Sequence, residues 1–175
     1  MATQGKKKNR NIVLLKSVDD LQTEISYKDF EYKRYFIHLC NLIPNKTDEK
    51  LEIETVNAAN ISKSGMVYVF VIEGKIFKIG QSISSIKQRV QSYNCGKTEY
   101  RISGTNSTTN YFVLQSLLNI GKVVNVYAFF PEQPTYTIFG KTYQNSLSTS
   151  KQAEKEILKD FIKNHNKKPI GCTQR

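Results

Sequence analysis

Residues 66–80 read Met-Val-Tyr-Val-Phe-Val-Ile-Glu-Gly-Lys-Ile-Phe-Lys-Ile-Gly. β-Branched and aromatic residues fill both halves of this stretch, and Gly74 lies between them, which predicts a β-hairpin. A three-residue loop that ends at Gly74 puts this glycine in the left-handed region and pairs Tyr68 with Lys78. A two-residue loop would instead pair Tyr68 with Ile79.

The apolar pattern favours one of these two registers. With the three-residue loop, one face of the hairpin is entirely apolar and suits a core. This face consists of Val67, Val69, Val71, Phe77 and Ile79. With the two-residue loop both faces are mixed. We therefore expect the first register, with Tyr68 and Lys78 side by side on the other face.

A helix is expected directly after the hairpin. Ser82 or Ser84 can cap its first turn, and Cys95-Gly96 ends it. An i, i+3, i+4, i+7 pattern predicts the side that faces the sheet. The residues at these positions are Ile86, Arg89, Val90 and Tyr93. An arginine and a tyrosine are therefore predicted beside the tyrosine and lysine of the hairpin, and such a set of groups suits a phosphate.

The last predicted helix contributes a carboxylate. Thr149-Ser150-Lys151-Gln152 has the form of a capping box, so a helix is expected from there to about Asn166. Glu154 shares the inner side of this helix with three apolar residues, whereas Glu156 does not. The three are Ile157, Leu158 and Phe161. A carboxylate at the edge of a core needs a polar or charged partner.

The other elements follow from the same patterns. Residues 27–43 are predicted as an amphipathic helix that Pro44 ends, and residues 51–55 as a short strand. Residues 111–120 are predicted as a helix and residues 123–130 as a buried strand. We therefore expect an α/β (α+β) fold, with a small, mainly antiparallel sheet flanked by helices.

The charge of the chain indicates its partner. The 175 residues include 26 Lys and Arg against 15 Asp and Glu, for a net charge of +11. Between Lys63 and Arg101 there are seven basic residues and two acidic ones. A basic surface with phosphate-binding groups favours nucleic acid as the partner. The run from Lys6 to Arg10 is either a solvated tail or a DNA-contacting arm.

The cysteines and histidines do not form a recognisable metal or disulfide pattern. The three cysteines are widely spaced, and the two histidines add no zinc-ligand spacing. No apolar run is long enough to cross a bilayer or to act as a signal sequence. We therefore expect a cytoplasmic protein without membrane association, built as one domain.

The ordered set of residues resembles the GIY-YIG nuclease family. The first family motif is similar to Gly65-Met66-Val67-Tyr68, and the second to Lys78-Ile79-Gly80, in which Lys78 replaces a tyrosine. The helix with Arg89 and Tyr93 and the segment around Glu154 are similar to the later motifs. Within the family, the resemblance is greatest to small type II restriction endonucleases with lysine in the second motif.

This resemblance implies hydrolysis of a DNA phosphodiester with one divalent metal ion, Mg²⁺ or Mn²⁺, per active site. Glu154 would then be the metal ligand and Tyr68 the general base. Lys78 would supply positive charge beside Tyr68 and orient the attacking water. Arg89 would stabilise the charge of the phosphorane, and Tyr93 would hydrogen-bond a phosphate oxygen.

The resemblance also divides the chain. Residues 1–11 form a basic tail that we expect to be disordered, and residues 12–175 a single nuclease domain. The parts of this domain are an N-terminal extension (12–62), the GIY-YIG core (63–100 and 122–166) and an insert (101–121). At this length we expect no separate DNA-binding domain, so the extension and the insert are expected to bind and read double-stranded DNA.

Three functions remain open at this point. A compact enzyme with one catalytic centre most simply cuts both strands of a symmetric site as a two-fold homodimer, so we first predict a type II restriction endonuclease. The alternatives are a structure-selective nuclease of DNA repair or recombination and a non-catalytic DNA-binding module. A different nuclease chemistry could use the acid-x-lysine pair of Glu73-Gly74-Lys75, but no aspartate partner precedes it in a strand.

Each candidate residue also has an ordinary structural explanation. Tyr68 and Tyr93 can be half-buried aromatic residues, Lys78 a solvated strand residue, and Arg89 an ordinary surface residue. Glu154 can stabilise the positive end of a helix dipole. These explanations together require several coincidences on one face, which favours the functional interpretation.

Overall fold

The computed structural model describes residues 18–45, 50–95, 106–144 and 148–172. The predicted basic tail and the first part of the predicted insert lie outside the described residues. Within these ranges the chain forms seven strands and three α-helices. In chain order they are β1 (Ile37–Pro44), β2 (Leu51–Thr55), β3 (Met66–Ile72), β4 (Lys75–Ser82), α1 (Ile86–Asn94), α2 (Asn106–Asn119), β5 (Val124–Phe129), β6 (Thr135–Ile138), β7 (Lys141–Gln144) and α3 (Ser150–His165).

Five strands form one antiparallel sheet in the order β2-β1-β5-β3-β4, and β6 and β7 form a separate hairpin. All seven side chains of β3 are buried. A continuous apolar run of this kind indicates a strand that is covered on both faces. Helices α1 and α2 cover one face, and α3 covers the other together with aromatic residues that precede β1. The predicted fold, a small antiparallel sheet flanked by helices, is confirmed.

The hairpin of β3 and β4 has a two-residue loop, not the predicted three-residue loop. Its residues, Glu73 and Gly74, have φ angles of 48° and 78°. Two consecutive positive φ angles are typical of a type I′ turn, whose twist matches that of the two strands. The left-handed conformation predicted for Gly74 is therefore confirmed, but Glu73 shares it.

A β-bulge in β4 then sets the register. Phe77 is an extra residue of β4 that falls outside the pairing with β3. Beyond it Tyr68 lies opposite Gly80, so the predicted pairing of Tyr68 with Lys78 is wrong. Phe77 also packs on the same face as Tyr68, not with the valines of β3. The prediction failed because both faces of this hairpin are buried, and a one-sided apolar pattern does not apply to such a hairpin.

Residues 27–43 do not form the predicted helix. Two short 3₁₀ turns precede strand β1 in this range. The turns are Tyr27–Asp29 and Lys33–Tyr35. Leu39 is an extra residue in the pairing of β1 with β5, and both Leu39 and Cys40 are fully buried in one cluster. A bulged strand thus buries two consecutive residues, which imitates the spacing of a helix.

The helices begin differently from the predictions. Ser85 caps α1 and forms a capping box with Gln88, in place of the two serines predicted above. The predicted box at the start of α3 is not formed, because the Thr149 hydroxyl donates to the Glu132 carbonyl. Helix α2 begins at Asn106, earlier than predicted.

None of the helices in the described ranges is long and apolar enough to span a bilayer.

Candidate active site

The five predicted site residues converge at β4, the edge strand of the sheet. Tyr68 in β3 points to the face that α1 covers, where it packs with Tyr93. Glu154 belongs to α3, on the opposite face, and interacts electrostatically with Lys78 and Arg89. Because Lys78 lies on the edge strand itself, the two faces meet around it. The structure therefore brings together residues that the sequence places in two widely separated stretches.

Tyr68, Tyr93 and Arg89 form a hydrogen-bonded cluster. The two phenol oxygens are 2.7 Å apart. The Nε–H of Arg89 donates to the Tyr68 oxygen at 3.2 Å, and its Nη2–H donates to the Tyr93 oxygen at 3.5 Å. The guanidinium also lies 4.8 Å from the centre of the Tyr93 ring. The predicted helical spacing of Arg89 and Tyr93 thus directs both side chains at Tyr68.

Burial and the guanidinium have opposite effects on the two phenols. Tyr68 is 0% exposed and Tyr93 1% exposed, and burial raises the pKa of each. The Arg89 charge opposes this rise, but does not cancel it. Burial also penalises the charge of Arg89, yet the two phenol oxygens outweigh this effect and raise the pKa of the guanidinium. The cluster at rest therefore contains two neutral phenols beside a fixed positive charge.

Gly80 leaves room for the Tyr68 ring. A Cβ atom added to Gly80 would lie 2.6 Å from both the Cζ atom and the hydroxyl oxygen of Tyr68. Such contacts are far shorter than van der Waals distance, so the ring can cross the strand only above a glycine. The sequence indicated Gly80 as part of a motif, and the structure gives the steric reason for it.

Lys78 is held by the C-terminal part of the chain. Its Nζ donates to the Gly171 carbonyl at 2.8 Å. Burial lowers the pKa of the ammonium, and the Arg89 charge lowers it further, while Cys172 and Glu154 oppose these effects. The prediction that this lysine is a site residue came from its motif. Its contact with Gly171 has no signal in the sequence.

Glu154 lies on the inner side of α3, as predicted, and is half-buried. Burial raises the pKa of its carboxyl group, an effect opposed by the positive charges of Lys78 and Arg89. The backbone N–H of Gln81 lies near the carboxylate and also lowers this pKa. Glu156, by contrast, is exposed and accepts a hydrogen bond from Gln152 at 2.8 Å. Only the first of these two carboxylates is therefore directed at the site.

A groove of about 1120 Å³ lies next to Glu154. Gln81 and Ile83 form one side of it, and residues of α3 form another. Its lysines are Lys151, Lys155, Lys159 and Lys168, all of them exposed. A groove of this charge suits a polyanion that passes the carboxylate.

The carboxylate of Glu154 is the group that could hold a metal ion here. In the ranges that the structure describes, no cluster of three or more His, Cys, Asp or Glu residues could do so. A single carboxylate fits Mg²⁺, which keeps several waters and takes one or two protein carboxylates together with substrate phosphates. The donor set does not fit zinc, which needs three or four protein ligands.

The sequence analysis missed Gln81, Gly171 and Cys172. The side chain of Gln81 accepts a hydrogen bond from the Ser150 hydroxyl at 3.1 Å, which ties β4 to the start of α3. The side chain of Cys172 contacts the backbone of Ile79 in β4. These residues lie just beyond the predicted hairpin, which ends at Gly80, and the predicted last helix, which ends near Asn166, so the fold alone reveals them.

Two solved structures are similar to this chain. The restriction endonuclease HPY188I, solved in complex with product DNA, is 67% identical over 100% of both chains, with a TM-score of 0.66. A mutant of bacteriophage T4 EndoII is 19% identical, covers 81% of this chain and 96% of its own, and has a TM-score of 0.56, which shows a similar fold alone. Neither a scan of protein-family models nor a comparison with curated proteins gave a match. The identity with the first structure extends over the whole chain, and this protein therefore belongs to the family of the restriction endonuclease HPY188I.

Proposed function

We propose that this protein is a type II restriction endonuclease of the GIY-YIG type, which hydrolyses both strands of double-stranded DNA at a short specific site. One observation carries this proposal. The Tyr68–Arg89–Tyr93 cluster lies within electrostatic reach of Lys78 and Glu154, beside a groove lined by lysines. The product DNA in the HPY188I structure supports DNA as the substrate.

In this proposal Tyr68 is the general base that removes a proton from the attacking water. Since burial raises its pKa, the resting phenol first gives its proton to the solvent, and the phenolate then takes a proton from the attacking water, which leaves a phenol and a hydroxide. Arg89 favours the phenolate that forms, because its Nε–H already donates to that oxygen. The Lys78 ammonium adds positive charge on the same side and orients the water. Tyr93 leaves its bond to Tyr68 to donate to a phosphate oxygen.

Arg89 and Glu154 act on the phosphate. The guanidinium of Arg89 stabilises the additional negative charge of the phosphorane, and its resting position is fixed by two phenols. Glu154 would hold one Mg²⁺ or Mn²⁺ per site, and the bound ion supplies positive charge at the leaving 3′ oxygen. The products would then carry 3′-hydroxyl and 5′-phosphate ends.

A homodimer fits this proposal best. One active site cuts one strand, so a double-strand break at a symmetric sequence is made most simply by two sites related by a two-fold axis. We expect two chains per duplex in analytical ultracentrifugation with a cognate DNA.

The proposal is tested by digestion of a plasmid of known sequence in the presence of Mg²⁺. We expect discrete fragments whose sequenced ends share one short motif. A smear, or intact plasmid, would contradict a restriction enzyme. Cleavage of branched DNA in strong preference to duplex would instead assign the protein to the structure-selective nucleases.

Replacement of Gly80 by alanine is expected to lower the cleavage rate about a hundredfold, because the new methyl group displaces the Tyr68 ring from its position over β4. The rate is measured in single-turnover digests of a cognate duplex. Gly121→Ala is the control for a glycine substitution without a clash, since its added Cβ meets no atom within 4 Å; its φ angle of +79°, unlike that of Gly80, is unfavourable for alanine. A normal rate for Gly80→Ala would show that the ring position over this glycine is not needed.

A further inference from the structure

The outer edge of β4 is covered at successive positions by other parts of the chain. The N–H of Ile76 donates to the Ile25 carbonyl at 2.8 Å, near the hairpin loop. At Gln81 the backbone N–H lies near the Glu154 carboxylate and lowers its pKa. Between these two positions lies Ile79, whose partner is the thiol of Cys172. An edge strand needs such partners because its N–H and C=O groups are not paired within the sheet.

The Cys172 thiol replaces a strand partner at Ile79. Its Sγ–H donates to the Ile79 carbonyl at 3.0 Å, and the Ile79 N–H donates back to Sγ at 3.3 Å. Burial raises the pKa of this thiol, which keeps it protonated and able to donate. The thiol therefore fixes the backbone of the residue next to Lys78.

Gly171 packs directly against β4. A Cβ atom at this position would lie 2.9 Å from the carbonyl oxygen of Phe77 and 3.0 Å from the Cβ of Lys78. This close approach brings the Gly171 carbonyl to 2.8 Å from Lys78 Nζ. An ammonium has three N–H donors, so two of them remain available for a substrate or a water.

The segment that carries both residues is anchored elsewhere. Glu24 is 6% exposed, and its Oε1 accepts from Lys167 Nζ at 2.8 Å. Its Oε2 accepts from the Ile170 N–H at 3.3 Å. The ammonium of Lys167 also donates to the Thr23 carbonyl at 2.8 Å. The position of the segment is thus set by contacts that do not involve Lys78.

We propose that Gly171 and Cys172 are positioning residues, which hold the Lys78 ammonium and its strand at the place from which it orients the attacking water. This inference rests on the proposed function, in which Lys78 has that role. Neither residue touches the DNA or the reacting atoms in this account. They act through Lys78, Gly171 on its ammonium and Cys172 on its backbone.

The test compares Cys172→Ala, Cys172→Ser and Gly171→Ala in steady-state cleavage of a cognate duplex with Mg²⁺. For Cys172→Ala and Gly171→Ala we expect kcat to fall about tenfold to a hundredfold, since a displaced catalytic group costs rate and not affinity, while KM stays within about twofold. Cys172→Ser is expected to restore most of kcat, because a hydroxyl donates and accepts at the same position. Cys95→Ala, at an exposed free cysteine, is the matched control and should behave as the unchanged protein does.

Three results would overturn the inference. The first is an unchanged kcat in the folded Cys172→Ala and Gly171→Ala variants. The second is a rise in KM with kcat unchanged, and the third is a loss in Cys172→Ala that serine does not restore. Should Gly171→Ala fail to fold, the two Cys172 variants decide alone.

Lys78→Met separates this inference from the proposed function. A normal cleavage rate for Lys78→Met would overturn both the role of Lys78 and the inference that depends on it. Loss of cleavage in Lys78→Met, together with normal rates in the Gly171 and Cys172 variants, would overturn the inference alone.

Discussion

Glu154→Gln is expected to lower the rate of DNA cleavage about a thousandfold or more and to leave DNA affinity nearly unchanged. The amide keeps the size of the side chain and an oxygen beside the Gln81 N–H, but it removes the charge that a divalent ion requires. Loss of about 4 kcal/mol of transition-state stabilisation, within the range that a metal ion supplies, corresponds to about a thousandfold in rate. Single-turnover digestion and a gel-shift titration with the same duplex measure the two effects.

The stability of this variant should not fall. Because burial raises the pKa of Glu154, the folded state binds its proton more tightly than the unfolded state does. The ionised carboxylate therefore weakens folding as the pH rises above the ordinary pKa of a glutamate. An uncharged amide lacks this penalty, so thermal unfolding should occur at the same or a higher temperature. A large drop in melting temperature would mean that the lost cleavage reflects unfolding.

Glu156→Gln is the matched control, since it lies on the same helix two residues later. Its carboxylate is exposed and bonds to Gln152 within the helix. We expect cleavage at the unchanged rate. Equal losses in the two variants would assign the effect to α3 as a whole and remove Glu154 from the proposed metal site.

Much of the candidate site could be predicted from the sequence because it depends on local periodicity. The spacing of Arg89 and Tyr93 required only that α1 be a helix, and both side chains hydrogen-bond to Tyr68 as expected. The same holds for Glu154 and Glu156, which helical geometry places on different sides of α3. Predictions of this kind depend on neighbours three or four residues apart, which the fold does not rearrange.

The register of the hairpin could not be predicted in the same way. Strand β3 is apolar throughout, so its two faces look alike in the sequence. The apolar pattern of β4 also does not show that Phe77 is an extra residue outside the strand pairing. The extra residue Leu39 caused a similar error in β1, because the bulge gives this strand the apolar spacing that is typical of a helix. The C-terminal contacts of Gly171 and Cys172 join positions 93 residues apart, and no local rule connects them.

Tyr68→Phe is the second substitution for which we expect a large effect, a fall in cleavage rate of about a hundredfold to ten-thousandfold, the usual contribution of a general base. Tyr68 is fully buried, so removal of its hydroxyl changes no surface that DNA could contact, and affinity should be retained. The Arg89 Nε–H and the Tyr93 hydroxyl each lose a partner, which should cost about 1 to 3 kcal/mol of folding free energy. Denaturant unfolding measures this loss of folding free energy. Digestion is carried out well below the melting temperature of the variant, so that a lower cleavage rate does not reflect unfolding.

The pH dependence of cleavage distinguishes a base from a merely structural phenol. A Tyr68 phenol with a raised pKa is neutral at neutral pH, so the rate of the unchanged protein should rise with pH between about 6.5 and about 9. The residual rate of Tyr68→Phe should lose this rise. Tyr127→Phe is the control, since Tyr127 packs on the opposite face of the sheet, stacked on Tyr27 at 4.2 Å. If Tyr68→Phe keeps the full pH dependence, another group takes the proton from water, and Tyr68 then serves only to hold Arg89 in place.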